Sequence, residues 1–489
     1  MLRKSIYIFF MFLFLAGCSE DFLDNPPKGQ LTTGNFPTTE QDAVLATNGI
    51  YNTLRIWNFH AGGFPILDIM SDEAKKGSNP GDGVVINQFE NFTFTPGNGS
   101  FERWWSTLYL GVKRAHLVLE SVPEIKMDPQ LKGRLLAEAR FLRGFFYFTL
   151  VRAYGDVPMV TSSEPPNKMP RTDQAEIYQE LIIPDFQYAI ENLPLRSDYA
   201  SSQVGRATKG AARGMLAKVY LWRQNYQMAA QYALDVIESG EYSLDPSFAN
   251  VFDEQFGPGA IFEVGALPRS GMDNGGNQYA NTWGVRGEPN LGWGFGRPSW
   301  SLIQDMQGDP RQEPTIAFVG ETIEGITIQG DDNTPDTTFN DQGQIEQVEC
   351  YNQKTFVAGS TPEVTWGYNR KFLRYADVLL VAAEALNEND QPAEALTYLN
   401  QVRERARASS DDLPDISTTD KQALRDAIIR ERHHELALEG KRFWDLIRTG
   451  RAPEVLGPLG FVEDKHELMP IPQSEINVSE GAMTQNPKY

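Results

Sequence analysis

Apolar residues recur at helical spacing in two separate stretches of the chain, with a long stretch between them that lacks any such period. In residues 101–122, Trp105, Leu108, Val112, Ala115 and Leu119 fall near one face, which predicts an amphipathic helix. Residues 131–154 carry the strongest pattern: Leu135, Leu142, Phe145, Phe146 and Thr149 line up with arginines between them, and Gly155-Asp156-Val157-Pro158 ends the helix. A further helix is predicted over 177–192, where Pro184 must kink or split it. Residues 207–223 and 226–239 read as a helical hairpin ending at Gly240. In the second stretch, 375–387 and 393–407 form another hairpin, followed by helices over 421–439 and 442–448 divided at Gly440.

The two hairpins match each other at a fixed offset. Leu216, Ala217 and Leu221 correspond to Val381, Ala382 and Leu386, and Ala230, Leu234 and Ile237 correspond to Ala395, Leu399 and Val402. Small residues stand where two helices must approach closely, and larger apolar ones a turn away. This resembles the tetratricopeptide helix pair; two ordinary helical hairpins are the alternative. The fold class expected is mainly α, a bundle of such pairs with a large loop-rich region containing a few short strands. Helical blocks are expected over about 101–240 and 370–450, and loop-rich parts over about 57–100 and 242–367. Long irregular segments inside a folded chain are where function concentrates.

Composition narrows the classes. The chain has 489 residues, 41% hydrophobic and 11% aromatic, enough for a sizeable core. A formal charge of −21 disfavours nucleic acid, whose phosphates require clustered Lys and Arg. Two cysteines exclude a disulfide framework. Arg3, Lys4 and the apolar run 6–15 form a signal-type segment too short to span a bilayer, and Leu15-Ala16-Gly17-Cys18 resembles the bacterial lipobox. That resemblance implies cleavage after residue 17, lipidation of Cys18 and a membrane-anchored mature chain, 18–489, forming one domain. Cys350 is then left without a partner, as a buried or inert thiol.

Several short stretches, in a shared order, resemble the SusD/RagB outer-membrane nutrient-binding lipoproteins of Bacteroidetes. They include Cys18 with the acidic Glu20 and Asp21, and Glu138-Ala139-Arg140-Phe141-Leu142-Arg143-Gly144 running on to Tyr154-Gly155-Asp156-Val157-Pro158. Arg374-Tyr375-Ala376-Asp377, Glu431-Arg432, Glu439-Gly440-Lys441-Arg442-Phe443-Trp444-Asp445-Leu446 and Pro470-Ile471-Pro472-Gln473 follow. The resemblance implies a binding protein rather than an enzyme, with no cofactor. It implies exposure at the surface of the outer membrane, and delivery of glycans, or of peptides in the RagB branch, to a SusC-like TonB-dependent transporter.

Sugar recognition needs flat apolar faces for pyranose C–H surfaces and polar groups for hydroxyls, and Trp and Tyr supply both. Trp104, Trp105, Trp222 and Trp444 fall on predicted helices and read as packing. Trp57, Trp283, Trp293, Trp300 and Trp366 lie in the irregular segments. Trp283 and Tyr279 are the first ligand-binding candidates, then Trp293, Trp300 and Trp57, with loop packing the alternative for each. Arg286, Asp72 and Asn274 are the polar candidates. A neutral β-glucan such as laminarin is the expected ligand, because only Arg286 and Arg297 stand near these rings; the same two arginines make alginate the runner-up. A lipoprotein glycoside hydrolase remains the competing enzyme class, although no local carboxylate pair suggests one. Asp331-Asp332-Asn333 lacks the glycine and closing glutamate of an EF-hand loop. His433-His434 lacks H-E-x-x-H spacing, so no metal is expected there.

Overall fold

The computed structural model describes residues 36–166, 168–267, 278–287, 292–331, 337–358, 367–409 and 412–489. Cys18 and the leader, Asn274, Trp366 and Asp332-Asn333 lie outside those residues. The protein is mainly α. Helix α1 (Glu40–Thr53) carries no strong apolar period and is absent from the sequence expectation. Its start is fixed locally: Thr39 Oγ1 accepts the Asp42 N–H at 3.2 Å, and the Asp42 carboxylate accepts the Thr39 N–H at 3.0 Å. Helices α2 (Gly99–Ser121) and α3 (Pro129–Tyr154) start at Asn98 and Asp128 caps, and α3 stops at Gly155 with φ +71°. The two pack closely: a Cβ at Gly111 of α2 would lie 2.4 Å from the Phe146 ring of α3. Pro184 does not break its helix: Gln174–Ile177, one π-helical turn, Tyr178–Ile182, and α4 (Ile183–Asn192) follow without a gap, and the π turn accommodates the N–H that proline lacks. Helices α5 (Lys209–Trp222) and α6 (Tyr226–Ile237) form the first matched hairpin.

The irregular middle holds short helices α7 (Tyr279–Trp283) and α8 (Trp300–Asp305) and a set of two-stranded antiparallel ladders. Strand β1 (Ala74–Gly77) comes from the early loop, β2 (Ala260–Val264) follows the first hairpin, and β3 (Phe295–Pro298) pairs with β1 in the register Gly77↔Phe295, Ala74↔Pro298. Strands β4 (Ile316–Phe318) and β5 (Cys350–Asn352) pair with each other, and β6 (Arg370–Arg374) returns to pair with β2. Cys350 is buried and donates its thiol toward Pro298 O; burial pushes it up to about 12, so it is inert as a nucleophile.

The second block comprises α9 (Tyr375–Glu388), α10 (Pro392–Ala406), α11 (Lys421–Glu435) and α12 (Arg442–Arg448). Helix α11 ends four residues earlier than its pattern predicts. Leu438 and Gly440 adopt left-handed φ, and Gly440 N–H turns to Asp68 Oδ1 at 2.7 Å. Helices stack in sequence from α1 to α6, α6 then packs on α9, and α9 on α10 and α11. The two hairpins that match in sequence are thus neighbours in space, with Ala217, Ala230, Ala382 and Ala395 all buried. One continuous apolar core runs through both blocks, and smaller clusters lie under the irregular middle.

Charged residues join the irregular middle to this bundle. Buried Arg311 pairs with Glu431 at 2.5 Å and Asp309 at 2.8 Å. Glu435, fully buried, meets Arg405 at 2.5 Å, Arg374 at 3.0 Å and Arg311 at 3.3 Å. Arg374 and Lys354 both hold Glu439, and Arg432 bridges Asp377 and Asp445. Burial alone would raise the Glu435 carboxyl, yet Arg405, Arg374 and Arg311 outweigh it and hold it at about 2.

Candidate functional site

The β1–β3 ladder carries the early loop and the late loop to one place. Trp57 opens the short turn Trp57–Phe59 after α1, and Trp293 lies two residues before β3. Their rings meet edge to face with centroids 6.0 Å apart at 81°. Phe64 packs on Trp57 at 5.3 Å and on Phe295 at 4.8 Å. The indole N–H of Trp57 donates to Thr282 Oγ1 at 3.4 Å. Among the described residues both tryptophans are only half-covered. Backbone geometry makes room for this: Gly63 has φ +100°, and a Cβ there would sit 2.6 Å from Trp57 Cε2.

Beside this aromatic face, Arg286 pairs with Asp82 at 2.8 Å and with Asp331, and donates to Ser78 Oγ at 2.9 Å. The guanidinium is therefore consumed in tying three loop pieces together. Arg297 is buried and donates to Val348 O at 2.9 Å. Arg286 is thus paired with carboxylates, and Arg297 is buried against a backbone carbonyl.

Other sequence candidates sit elsewhere. Trp283, ranked first, is 1% exposed; its ring lies against Gly296, where a Cβ would come within 2.6 Å. It is core, because α7 buries all five of its residues. Tyr279 is likewise buried, stacked on Tyr368 at 5.9 Å and 24° with Arg370 4.4 Å above its ring. Trp300 is half-buried and packs on the cluster containing Leu302 and Ile303. Asp72 is held by a two-pronged pair from Arg442, both bonds 2.8 Å, and serves the scaffold. The fold thus brings Trp57, Trp293 and Arg286 together and leaves Trp283, Tyr279, Trp300 and Asp72 out. Phe64 supports the Trp57 ring, and the sequence held no signal for it beyond the early loop itself; Thr282, buried in α7, holds the Trp57 N–H.

With this geometry in view, comparison with known proteins defines the class. Residues 258–461 match the sequence model of the SusD family, and residues 69–221 match one described as starch-binding, associating with the outer membrane. The chain is 30% identical to SusD-like protein P2 of Formosa agariphila over 100% of both chains. It belongs to the SusD family, a class associated with the outer membrane. A SusD-like protein of Bacteroides ovatus is 27% identical over 89% of this chain and 80% of its own. Among solved structures, one titled a laminarin-binding SusD-like protein is 29% identical, with TM-score 0.77, covering 92% of this chain and 100% of that one. Surface glycan-binding protein A from Bacteroides thetaiotaomicron, solved with laminarihexaose, shares the fold at 23% identity and TM-score 0.74, over 92% of this chain and 100% of its own.

Proposed function

We propose that the protein is a surface glycan-binding lipoprotein, anchored through Cys18, that captures oligo- or polysaccharide and passes it to a TonB-dependent transporter without cleaving it. The ligand is a neutral β-glucan of the laminarin type, stacked on Trp57 and Trp293. The observation that carries this reading is the edge-to-face pair itself: two half-buried indoles from separate loops, fixed by a strand ladder. Pyranose rings match such faces, and prior fixation lowers the ordering cost of binding. The 29% identical laminarin-binding structure supports the sugar class.

Electrophoresis of mature protein through gels containing laminarin tests it. Retarded migration without new reducing ends is expected, and the Trp57→Ala/Trp293→Ala double variant should migrate freely. New reducing ends would establish a hydrolase. Unchanged retardation of the double variant would remove the site. For the anchor, Cys18→Ser should release the protein from the outer membrane, because acyl chains supply the membrane affinity.

A further inference from the structure

Two imidazoles and a carboxylate converge away from the aromatic face. His433 and His434 stand side by side in the last turn of α11, and Asp305 is the last residue of α8. Asp305 Oδ2 lies 2.8 Å from His434 Nε2 and 3.3 Å from His433 Nδ1. One ligand atom from each of the three falls within 4.8 Å of the others. The far nitrogen of each ring faces a second carboxylate. His434 Nδ1 is 2.8 Å from Asp309 Oδ2, and Asp309 is itself fixed by Arg311. His433 Nε2 is 3.5 Å from Glu73 Oε1, at ion-pair distance but without hydrogen-bond geometry, and Glu73 is fixed by the Leu438 N–H at 2.9 Å. The His433 ring is 8% exposed, and Asp305, with its side chain 36% exposed, opens on a surface cavity of about 470 Å³ that Asp309 and His434 also line.

We propose that Asp305, His433 and His434 bind a divalent transition-metal ion of the zinc type, which staples α8 to α11. A ligating histidine presents one ring nitrogen to the metal and donates the other N–H to a carboxylate, which fixes tautomer and ring orientation. His434 has that second carboxylate in place in Asp309, and Glu73 lies 3.5 Å from the corresponding nitrogen of His433. Two nitrogens and one oxygen suit zinc and its transition-metal neighbours, whereas calcium and magnesium require mostly oxygen. Metal–ligand bonds of about 2.0–2.2 Å put ligand atoms roughly 3–3.6 Å apart. The two N–O separations, 2.8 and 3.3 Å, are near that range, and one ligand atom of each residue lies within 4.8 Å of the others. Three protein ligands leave a position for water, reached from the cavity. Spacing along one helix did not show the site because its third ligand comes from α8. That helix directly follows β3, so the ion would also brace the strand that holds Trp293 against Trp57.

The test uses tag-free mature protein stripped with a chelator. Titration with Zn²⁺ against a chromophoric competitor should show one equivalent bound, and Co²⁺ at that site should give visible d–d absorption. Zn²⁺ should raise the thermal midpoint. Asp305→Asn and His433→Gln should each weaken Zn²⁺ binding at least 10-fold, and Asp309→Asn, a second-sphere change, by about 10–100-fold. Asp305 is the most exposed of the three, so Asp305→Asn keeps the test open should a histidine variant fail to fold. Absence of a stoichiometric site, or wild-type Zn²⁺ affinity in Asp305→Asn, overturns the proposal.

Discussion

The charged seam around α11 and the aromatic face around Trp57 invert the usual expectation of where each residue type belongs. Glu431, Arg432 and Glu435 are residues that composition assigns to solvent, and all three are buried. Trp283 and Tyr279 come from a glycine-rich stretch that composition assigns to an exposed loop, and both are core. The seam holds because Glu431, Glu435, Glu439, Asp377 and Asp445 each meet arginine or lysine at ion-pair distance; a buried ion pair contributes little net stability but is costly to break from one side. The aromatic face is different. Its two tryptophans are only half-covered by the described residues. Burial of paired charge therefore marks scaffold here, and the proposed ligand face rests on the incomplete burial of Trp57 and Trp293 among the described residues.

The largest effects should come from breaking the scaffold. Glu435→Ala leaves Arg311, Arg374 and Arg405 facing a vacancy and should cost about 3–5 kcal/mol of unfolding free energy in denaturant titration. A loss below about 1 kcal/mol would mean that water reaches the seam. Trp283→Ala should cost a comparable amount, about 3–5 kcal/mol, through the cavity it leaves. That loss is the reverse of what a ligand-stacking tryptophan gives: a stable protein that binds poorly.

Acid should find the seam before it finds the aromatic face. Glu435 and Asp445 are both held at about 2, Asp445 because Arg432 and Arg448 outweigh its burial. Unfolded carboxylates titrate near 4. The stabilisation is therefore present above about pH 4–5 and is lost as pH falls toward 2. Asp68 works the other way. Burial pushes it up to about 7, so stability rises as it protonates between pH 7 and 4. Burial holds His116 and His466 down at about 4, so they oppose Asp68 over the same range and its share is read against Asp68→Asn. Wild type should gain stability relative to that variant as pH falls from 7 to about 4, and a constant difference would contradict the assignment of Asp68.

A smaller effect probes the helix pairs. Ala382→Leu overfills a close crossing between stacked hairpins and should destabilise by about 1–3 kcal/mol, with an unchanged thermal midpoint ruling out tight packing there. This part of the fold was legible in the sequence, because helix period and the alternation of small and large residues are local signals. The seam was legible only as a set of short charged motifs. Its partners lie far apart in the chain: Arg311 reaches Glu431, and Asp68 reaches Gly440. The site was half legible. Loop tryptophans could be named, but which of them keeps an open face depends on the β1–β3 register, and a strand of four residues leaves almost no periodic trace.

The smallest expected effect bears most directly on function. Trp57→Ala and Trp293→Ala should each weaken laminarin binding by at least about 1 kcal/mol while shifting unfolding far less than Trp283→Ala. Because the two rings touch at 6.0 Å, their losses should not add: removing one deprives the other of its support, so the double variant should lose less than the sum of the singles. Isothermal titration of the four proteins at two salt concentrations measures both the coupling and the charge dependence. Stacking on neutral sugar should be nearly indifferent to salt, since Arg286 is already occupied by Asp82 and Asp331. Strong weakening of binding with salt would show that a free cation contributes after all and would move the ligand class toward uronates. Full additivity would mean that the two indoles act as separate subsites rather than one platform, and the comparison between a rigid seam and a jointly supported face would have to be redrawn at Trp293.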